Sequence, residues 1–203
     1  ARNVQVAAHS HTIKGIKLAI ECGVKHLQHA SYMDDECIKL AKENNCTITP
    51  TTWVLANVTK SDAFKSLMEN PKELNTTHNS TILKAKNAGV PILMGSDSIF
   101  LGMHGKNYIE LRYLMKTGMS NLEVWYAGTG AGAAAMDATD VGAIRKGNIA
   151  DLLFFNSDVI EEPGQIDEKN MIEVMKSGKG YKNYFTTLEQ ISFESTLESR
   201  IKK

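Results

Sequence analysis

Charge of one sign, cysteine, proline and long apolar runs are what this 203-residue chain has least of. Its 23 basic and 23 acidic side chains cancel to a formal net charge of zero. It therefore offers no clustered Lys/Arg to neutralise the phosphates of a nucleic acid or an anionic membrane. No apolar run reaches the roughly 20 residues of a membrane helix, and the first residues carry neither the basic nor the apolar region of a signal peptide. The chain opens on Ala1 and not on a methionine, so those absences leave the compartment open, with the cytoplasm as the default expectation. Cys22, Cys37 and Cys46 are odd in number and lack Cys-x-x-Cys spacing. That gives no support for a disulfide framework or a thiolate zinc site and predicts buried free thiols. No Gly-x-Ser-x-Gly elbow is present, which removes the usual signal of serine catalysis. What remains is small-molecule chemistry.

Hydrophobic periodicity orders the rest. Val4 to Ala8 is a β-prone run, and Ile13, Ile16, Ala19 and Ile20 then recur at helical spacing up to Gly23. Val24 to Gln28 is the next extended stretch, and Asp34 is placed to cap a helix over Glu36 to Asn44. Cys46 to Pro50 predicts a third strand, and after a polar stretch through Pro71, Asn79 to Ala88 predicts a helix closed by Gly89. Val90 to Met94 is the most apolar strand, followed by a helix from about Tyr108 to Lys116. Four strand-plus-helix units in a row predict a parallel sheet with right-handed crossovers, open or rolled into a barrel. After Gly118 the pattern changes: Asn121 to Met136 reads as helix, and Ile149 to Phe155 as a strand after the turn-prone Lys146-Gly147-Asn148. Met94, Met115, Met119 and Met136 read as core gap-fillers.

The polar residues fall at one kind of place. His9 directly follows the first strand, His29 the second, Thr51 and Thr52 the third and Asp97 the fourth. Carboxyl ends of parallel strands face the active site in α/β architectures. Two imidazoles and a carboxylate converging there are suitable ligands for Zn²⁺. A lone His after a strand is more often a structural hydrogen-bonding residue, but three such residues in equivalent places favour the metal reading. His9 is expected as a ligand, with His11 left near the substrate. His26 is expected to be structural, His78 to contact solvent in a polar loop, and His104 to sit on a flexible loop after Asp97 as a lid or substrate contact. Gly128 to Gly132 follows a helix and not a strand, so it reads as close helix packing and not as a dinucleotide fingerprint.

Taken together, Val6-Ala7-Ala8-His9-Ser10-His11, Gly23-Val24-Lys25-His26-Leu27-Gln28-His29-Ala30-Ser31 and Gly89-Val90-Pro91-Ile92-Leu93-Met94-Gly95-Ser96-Asp97 resemble the fifth, sixth and eighth barrel strands of the amidohydrolase superfamily. Gly105-Lys106-Asn107 with Glu110-Leu111, Gly118-Met119-Ser120 and Val141 to Leu152 resemble the C-terminal region of its imidazolonepropionase-like and prolidase-like members. The resemblance runs from Val4 to Asn183. It implies an α/β fold: the second half of a (β/α)8 TIM barrel, strands 5–8, over residues 1–140. The C-terminal segment of a small β-sandwich domain would follow over 141–187, with a charged tail over 188–203. It further implies a metal-dependent hydrolase in which His9, His29 and Asp97 hold one or two zinc ions and Asp97 moves the proton of the attacking water. His11, Tyr32 and His104 are then the candidates for holding substrate. Members that share the His-Gly-x-Asn pattern, here His104 to Asn107, hydrolyse amide bonds of dipeptides or N-acyl amino acids, so that substrate class is the leading expectation.

Two departures from the family pattern shape the alternatives. Nothing here matches the family's first-strand His-x-His or its fourth-strand lysine, and a whole barrel takes about 250 residues. The N-terminal half of the barrel, from the same gene or a partner chain, is therefore an expected partner, and a homo-oligomer is the expected state. An imidazolonepropionase-like cyclic-amide hydrolase or deaminase, and a noncatalytic half-barrel that binds a ligand or partner, stay open as alternatives.

Overall fold

The computed structural model describes residues 4–60, 71–99 and 101–182. The expected tail over 188–203 lies outside them. Strand β1 (Ala7–Ser10), helix α1 (Ile13–Glu21), β2 (His26–His29), α2 (Asp35–Glu43) and β3 (Thr47–Thr49) alternate as the periodicity predicts. The three strands form one parallel sheet in sequential order, with Ala7 opposite His26 and His26 opposite Thr47.

Local chemistry explains each boundary. The Thr12 side chain accepts from Gly15 N–H at the start of α1, and Asp34 accepts from Cys37 N–H at the start of α2, each satisfying an amide with no partner inside the helix. Lys17 of α1 reaches Asp34 at 3.3 Å and also pairs with Glu36, clamping the two helices on one side of the sheet. Their inward stripes, Ile16 and Ile20 from α1 with Cys37, Ile38 and Ala41 from α2, join Leu27 and Ile48 of the sheet in one buried core.

The fourth unit departs from expectation. In place of a strand over Val90 to Met94 there is a single parallel bridge between Ile48 and Ile92. Ile48 N–H donates to Pro91 O (3.0 Å) and Leu93 N–H to Ile48 O (2.8 Å). The segment still lies beside β3, and a Cβ on Gly95 would stand 2.4 Å from Thr49 Cγ2, so only glycine fits there without a shift.

The helices between β3 and this segment also differ. Helix α3 (Thr52–Val58) occupies part of the expected polar stretch, and α4 (Pro71–Asn87) begins eight residues before the expected Asn79. Proline tolerates the first helical turn because its missing N–H would have no partner there. Downstream, α5 (Ile109–Lys116) matches its predicted span, whereas the expected helix over Asn121 to Met136 is two, α6 (Asn121–Ala127) and α7 (Gly130–Ala135), broken at Gly128 and Thr129. Met119 is buried as expected, but Met136 is 78% exposed. Cys37 and Cys46 are buried while Cys22 is exposed, a correction to the expectation of three buried thiols.

A second, antiparallel sheet joins β4 (Leu152–Phe155), β5 (Met171–Lys176) and β6 (Lys179–Lys182). Val159 and Ile166, from the segment between β4 and β5, pack into the main core. Trp125 Nε1–H donates to Val159 O (3.0 Å) and Asn121 Nδ2–H to Glu161 O (2.9 Å), fixing that segment on α6. Among the described residues no helix is long and apolar enough to cross a membrane.

Candidate metal centre

The ends of β1 and β2 bring three imidazoles together. The ring centroids of His9 and His11 lie 4.9 Å apart, those of His9 and His29 4.5 Å, and His11 stacks on His29 at 4.7 Å with 8° between the ring planes. One nitrogen from each ring lies within 4.8 Å of the others, and this is the one cluster of metal-ligand type found among the described residues. Period two along the extended chain puts His9 and His11 on the same side. Parallel pairing of Ser10 with His29 brings the second strand end alongside them. Ala30 N–H donates to Ser10 O and Tyr32 N–H to His11 O, both at 3.0 Å, so the loop after β2 holds the His11 segment in place.

The structure therefore draws in His11, which the sequence placed near substrate. It leaves Asp97 outside the cluster, exposed on its loop. His29 at the end of β2, Thr51 after β3 and Asp97 after the Ile92 bridge all have positive φ (68°, 54° and 44°). Such backbone costs of order 1 kcal/mol or more per non-glycine residue and concentrates at functional sites. Tyr32 is partly exposed beside His11. His104 Nε2–H donates to Ser98 O (2.9 Å), tying the loop that follows Asp97.

Hydrogen bonds behind the cluster set its chemistry. Thr51 Oγ1 donates its one hydrogen to Pro50 O (2.7 Å) and lies 2.6 Å from His29 Nδ1. Facing His29, Thr51 can only accept, so Nδ1 carries the proton and His29 Nε2 keeps a free lone pair. Burial, and then the nearby His11 and His9, lower the His29 pKa to about 4; burial and His9 lower that of His11 as well. Neutral imidazoles are what a metal needs. His26, by contrast, bonds Thr47 Oγ1 (2.9 Å) and Gln5 across the strands, the structural role expected of it.

Three residues of this support were missed by sequence reasoning. His78, expected in a solvent-facing loop, is fully buried on α4. Its Nδ1 lies 3.0 Å from Ser31 Oγ and its Nε2 3.4 Å from Thr52 Oγ1, while Ser31 Oγ also meets His11 Nδ1 at 2.9 Å. The signal was available in the stripe Leu74, His78, Thr81, Ile82 and Ala85, all buried and at helical spacing. Glu110 is also fully buried and accepts the backbone N–H groups of Thr52 (2.7 Å) and Trp53 (2.6 Å), capping α3 from a distant helix. Burial pushes its carboxyl up to about 8 against the pull of those bonds.

Residues 1–180 match the model of the amidohydrolase family. The chain belongs to that family. It is 30% identical over 188 residues to ochratoxinase of Aspergillus niger, covering 89% of this chain and 38% of that protein. The crystal structure of the Aspergillus niger ochratoxinase superimposes with a TM-score of 0.77 over 89% of this chain and 42% of that one, at 30% identity. A Xaa-Pro dipeptidase with methionine bound in its active site gives 0.78 at 29% identity, over 88% of this chain and 45% of that one. A prolidase complexed with N-methylphosphonate-L-proline gives 0.79 at 26% identity, over 89% and 45%. The fold is thus the mixed α/β one of amidohydrolase TIM-barrel proteins. The chain spans less than half the length of these relatives.

Proposed function

We propose that the chain forms strands 5–8 of a (β/α)8 barrel followed by part of a small β domain, and that it carries part of the centre of a zinc-dependent hydrolase of amide bonds. Dipeptides and N-acyl amino acids are the proposed substrates. The observation that carries this reading is the cluster of His9, His11 and His29 at the carboxyl ends of parallel strands, with His29 held in the tautomer that leaves Nε2 free. Three neutral imidazoles suit zinc or a neighbouring transition metal and not a hard, oxygen-seeking cation. The ochratoxinase and prolidase relatives favour amide substrates.

When bound, a divalent metal acidifies water and polarises a carbonyl. His9 and His29, with His11 beside them, would hold it, and the remaining ligands would come from the barrel's N-terminal half on the same polypeptide or a partner. Asp97, on the loop after the Ile92 bridge, would accept a proton from the attacking water and pass it to the amine nitrogen as the C–N bond breaks. Tyr32 and the loop closed by His104 would border the substrate.

The test is metal content of the purified protein by mass spectrometry, together with hydrolysis of a panel of dipeptides and N-acyl amino acids. Zinc at one or two equivalents, lost in His9→Ala and His29→Ala, is the expected result. Hydrolysis retained in His29→Ala and Asp97→Ala would overturn the mechanism. Ammonia release from amidine or cyclic-amide substrates instead would move the assignment to a deaminase or cyclic-amide hydrolase.

A further inference from the structure

Helix α3 begins without the cap its own sequence offers. Its N-cap residue is Thr51, a residue type whose hydroxyl commonly accepts an amide of the first turn from an extended backbone. Thr51 stands instead in the left-handed region, at φ 54° and ψ 43°, and its side chain caps nothing. The hydroxyl is turned away, donating to Pro50 O (2.7 Å) and lying 2.6 Å from His29 Nδ1. For a β-branched residue that backbone is an outlier, and it persists only where the surroundings hold it.

Glu110 does what Thr51 leaves undone. One carboxyl oxygen accepts the amide of Thr52 (2.7 Å) and the other that of Trp53 (2.6 Å), the first two residues of α3. Each oxygen keeps a lone pair for its amide whether the carboxyl is ionised or protonated. Thr51, Thr52, Trp53 and Glu110 are all buried, so water is not at hand to replace the carboxyl, and a buried amide without a partner is costly. If the carboxyl were lost, the Thr51 hydroxyl would be the acceptor next in sequence to these amides. It could reach them only by taking up the extended backbone of an ordinary cap and leaving His29.

We infer that Glu110 is a positioning residue for the metal centre: by capping α3 from α5 it frees the Thr51 hydroxyl to serve His29. The inference rests on the metal reading above for its purpose but not for its geometry. Glu110 stands in the first turn of α5, and Trp53 and Val54 of α3 form a small cluster with Met103, next to His104, and with Ile109. The carboxyl thus joins the turn behind His29 to the chain that follows Asp97. Partners behind a ligating histidine typically contribute about 10- to 100-fold in metal affinity.

The experiment records the His29 tautomer by ¹H–¹⁵N correlation NMR on the metal-free protein and zinc affinity by competition with a chromophoric chelator. In the wild type His29 should be the Nδ1–H form, and the Thr52 and Trp53 amide nitrogens should show scalar coupling through the hydrogen bond to the Glu110 carboxyl carbon. Glu110→Gln offers one acceptor oxygen in place of two and turns an NH₂ on the other amide. The expected result is a mixture of His29 tautomers and a loss of zinc affinity of about 10-fold. Thr51→Val, which removes the hydroxyl and leaves both bonds to Glu110 in place, should do the same. Because Glu110 acts through Thr51, the double variant should lose no more than Thr51→Val alone. Glu110→Asp, whose carboxyl is drawn back from α3, serves if Glu110→Gln does not fold. No coupling to the Glu110 carboxyl in the wild type, an unchanged His29 tautomer in the Glu110 variant, or additive losses in the double variant would each overturn the inference. A wild type that binds no zinc would instead sink the metal reading, while the tautomer and coupling measurements still decide the role of Glu110.

Discussion

His78 should make the protein acid-sensitive by an amount the structure sets. Its imidazole is fully buried between Ser31 and Thr52, and burial, followed by the neighbouring His11 and His29, lowers its pKa from the ordinary 6.5 to about 3. The folded state therefore favours the neutral ring, and below about pH 6.5 the unfolded chain binds a proton that the folded chain refuses. Stability from this group is fully present above that pH and falls as pH drops towards 3. Between about pH 7.5 and pH 5 the loss comes to about 2 kcal/mol, almost all of it below about pH 6.5, where each pH unit is worth about 1.4 kcal/mol. Urea unfolding followed by circular dichroism at both pH values, with chelator present, measures it. The variant His78→Gln has no titrating ring, so its stability should fall by about 2 kcal/mol less than wild type over the same interval, even if its absolute stability is lower. His29, with its own pKa lowered to about 4, contributes to the slope of both proteins and drops out of the difference. Equal pH slopes in wild type and variant would show that His78 is not buried neutral, and the hydrogen-bond chain behind the cluster would fall with it.

Other parts of the structure carry simpler expectations. Gly95→Ala places a Cβ 2.4 Å from Thr49 Cγ2, and should cost about 1–3 kcal/mol in urea unfolding; a neutral substitution would mean that the chain leading to Asp97 does not approach β3 so closely. The Ser120 side chain caps α6 and completes a reciprocal pair with Glu123, so Ser120→Ala should lower stability by about 1 kcal/mol. A thiol-reactive disulfide reagent on the native protein should label Cys22 at once. Cys37, held by burial up to about 11, and Cys46, also raised by burial, should react only on unfolding. Rapid labelling of all three would contradict the packing of α2 on the sheet.

What was legible in the sequence was whatever repeats within a short window. The stripe Ile13, Ile16, Ile20 defined α1, the carboxylate of Asp34 announced α2, and the alternation of strands with helices placed His9 and His29 near the ends of β1 and β2. The segment around Ile92 kept its apolar character but makes only one bridge to β3, because composition predicts burial and not ladder length. The start of α4 was hidden by Asn75, Thr76, Thr77, Asn79 and Ser80, which prefer caps and turns, so that tertiary packing of Leu74 and His78 and not propensity decides it.

The pairings within the polar support of the cluster were illegible for a different reason. Ser31, Thr51, Thr52, His78 and Glu110 are residue types that read as solvent-facing, and each is buried here because another of them, or a backbone group, replaces its water. Those pairings join positions 22, 47 and 58 residues apart, far outside any periodic window. A strand-end histidine can be predicted from its place in the unit. The tautomer of His29, on which its use as a ligand depends, is set by the Thr51 hydroxyl, which becomes its neighbour only once the chain after β3 has packed beside β2.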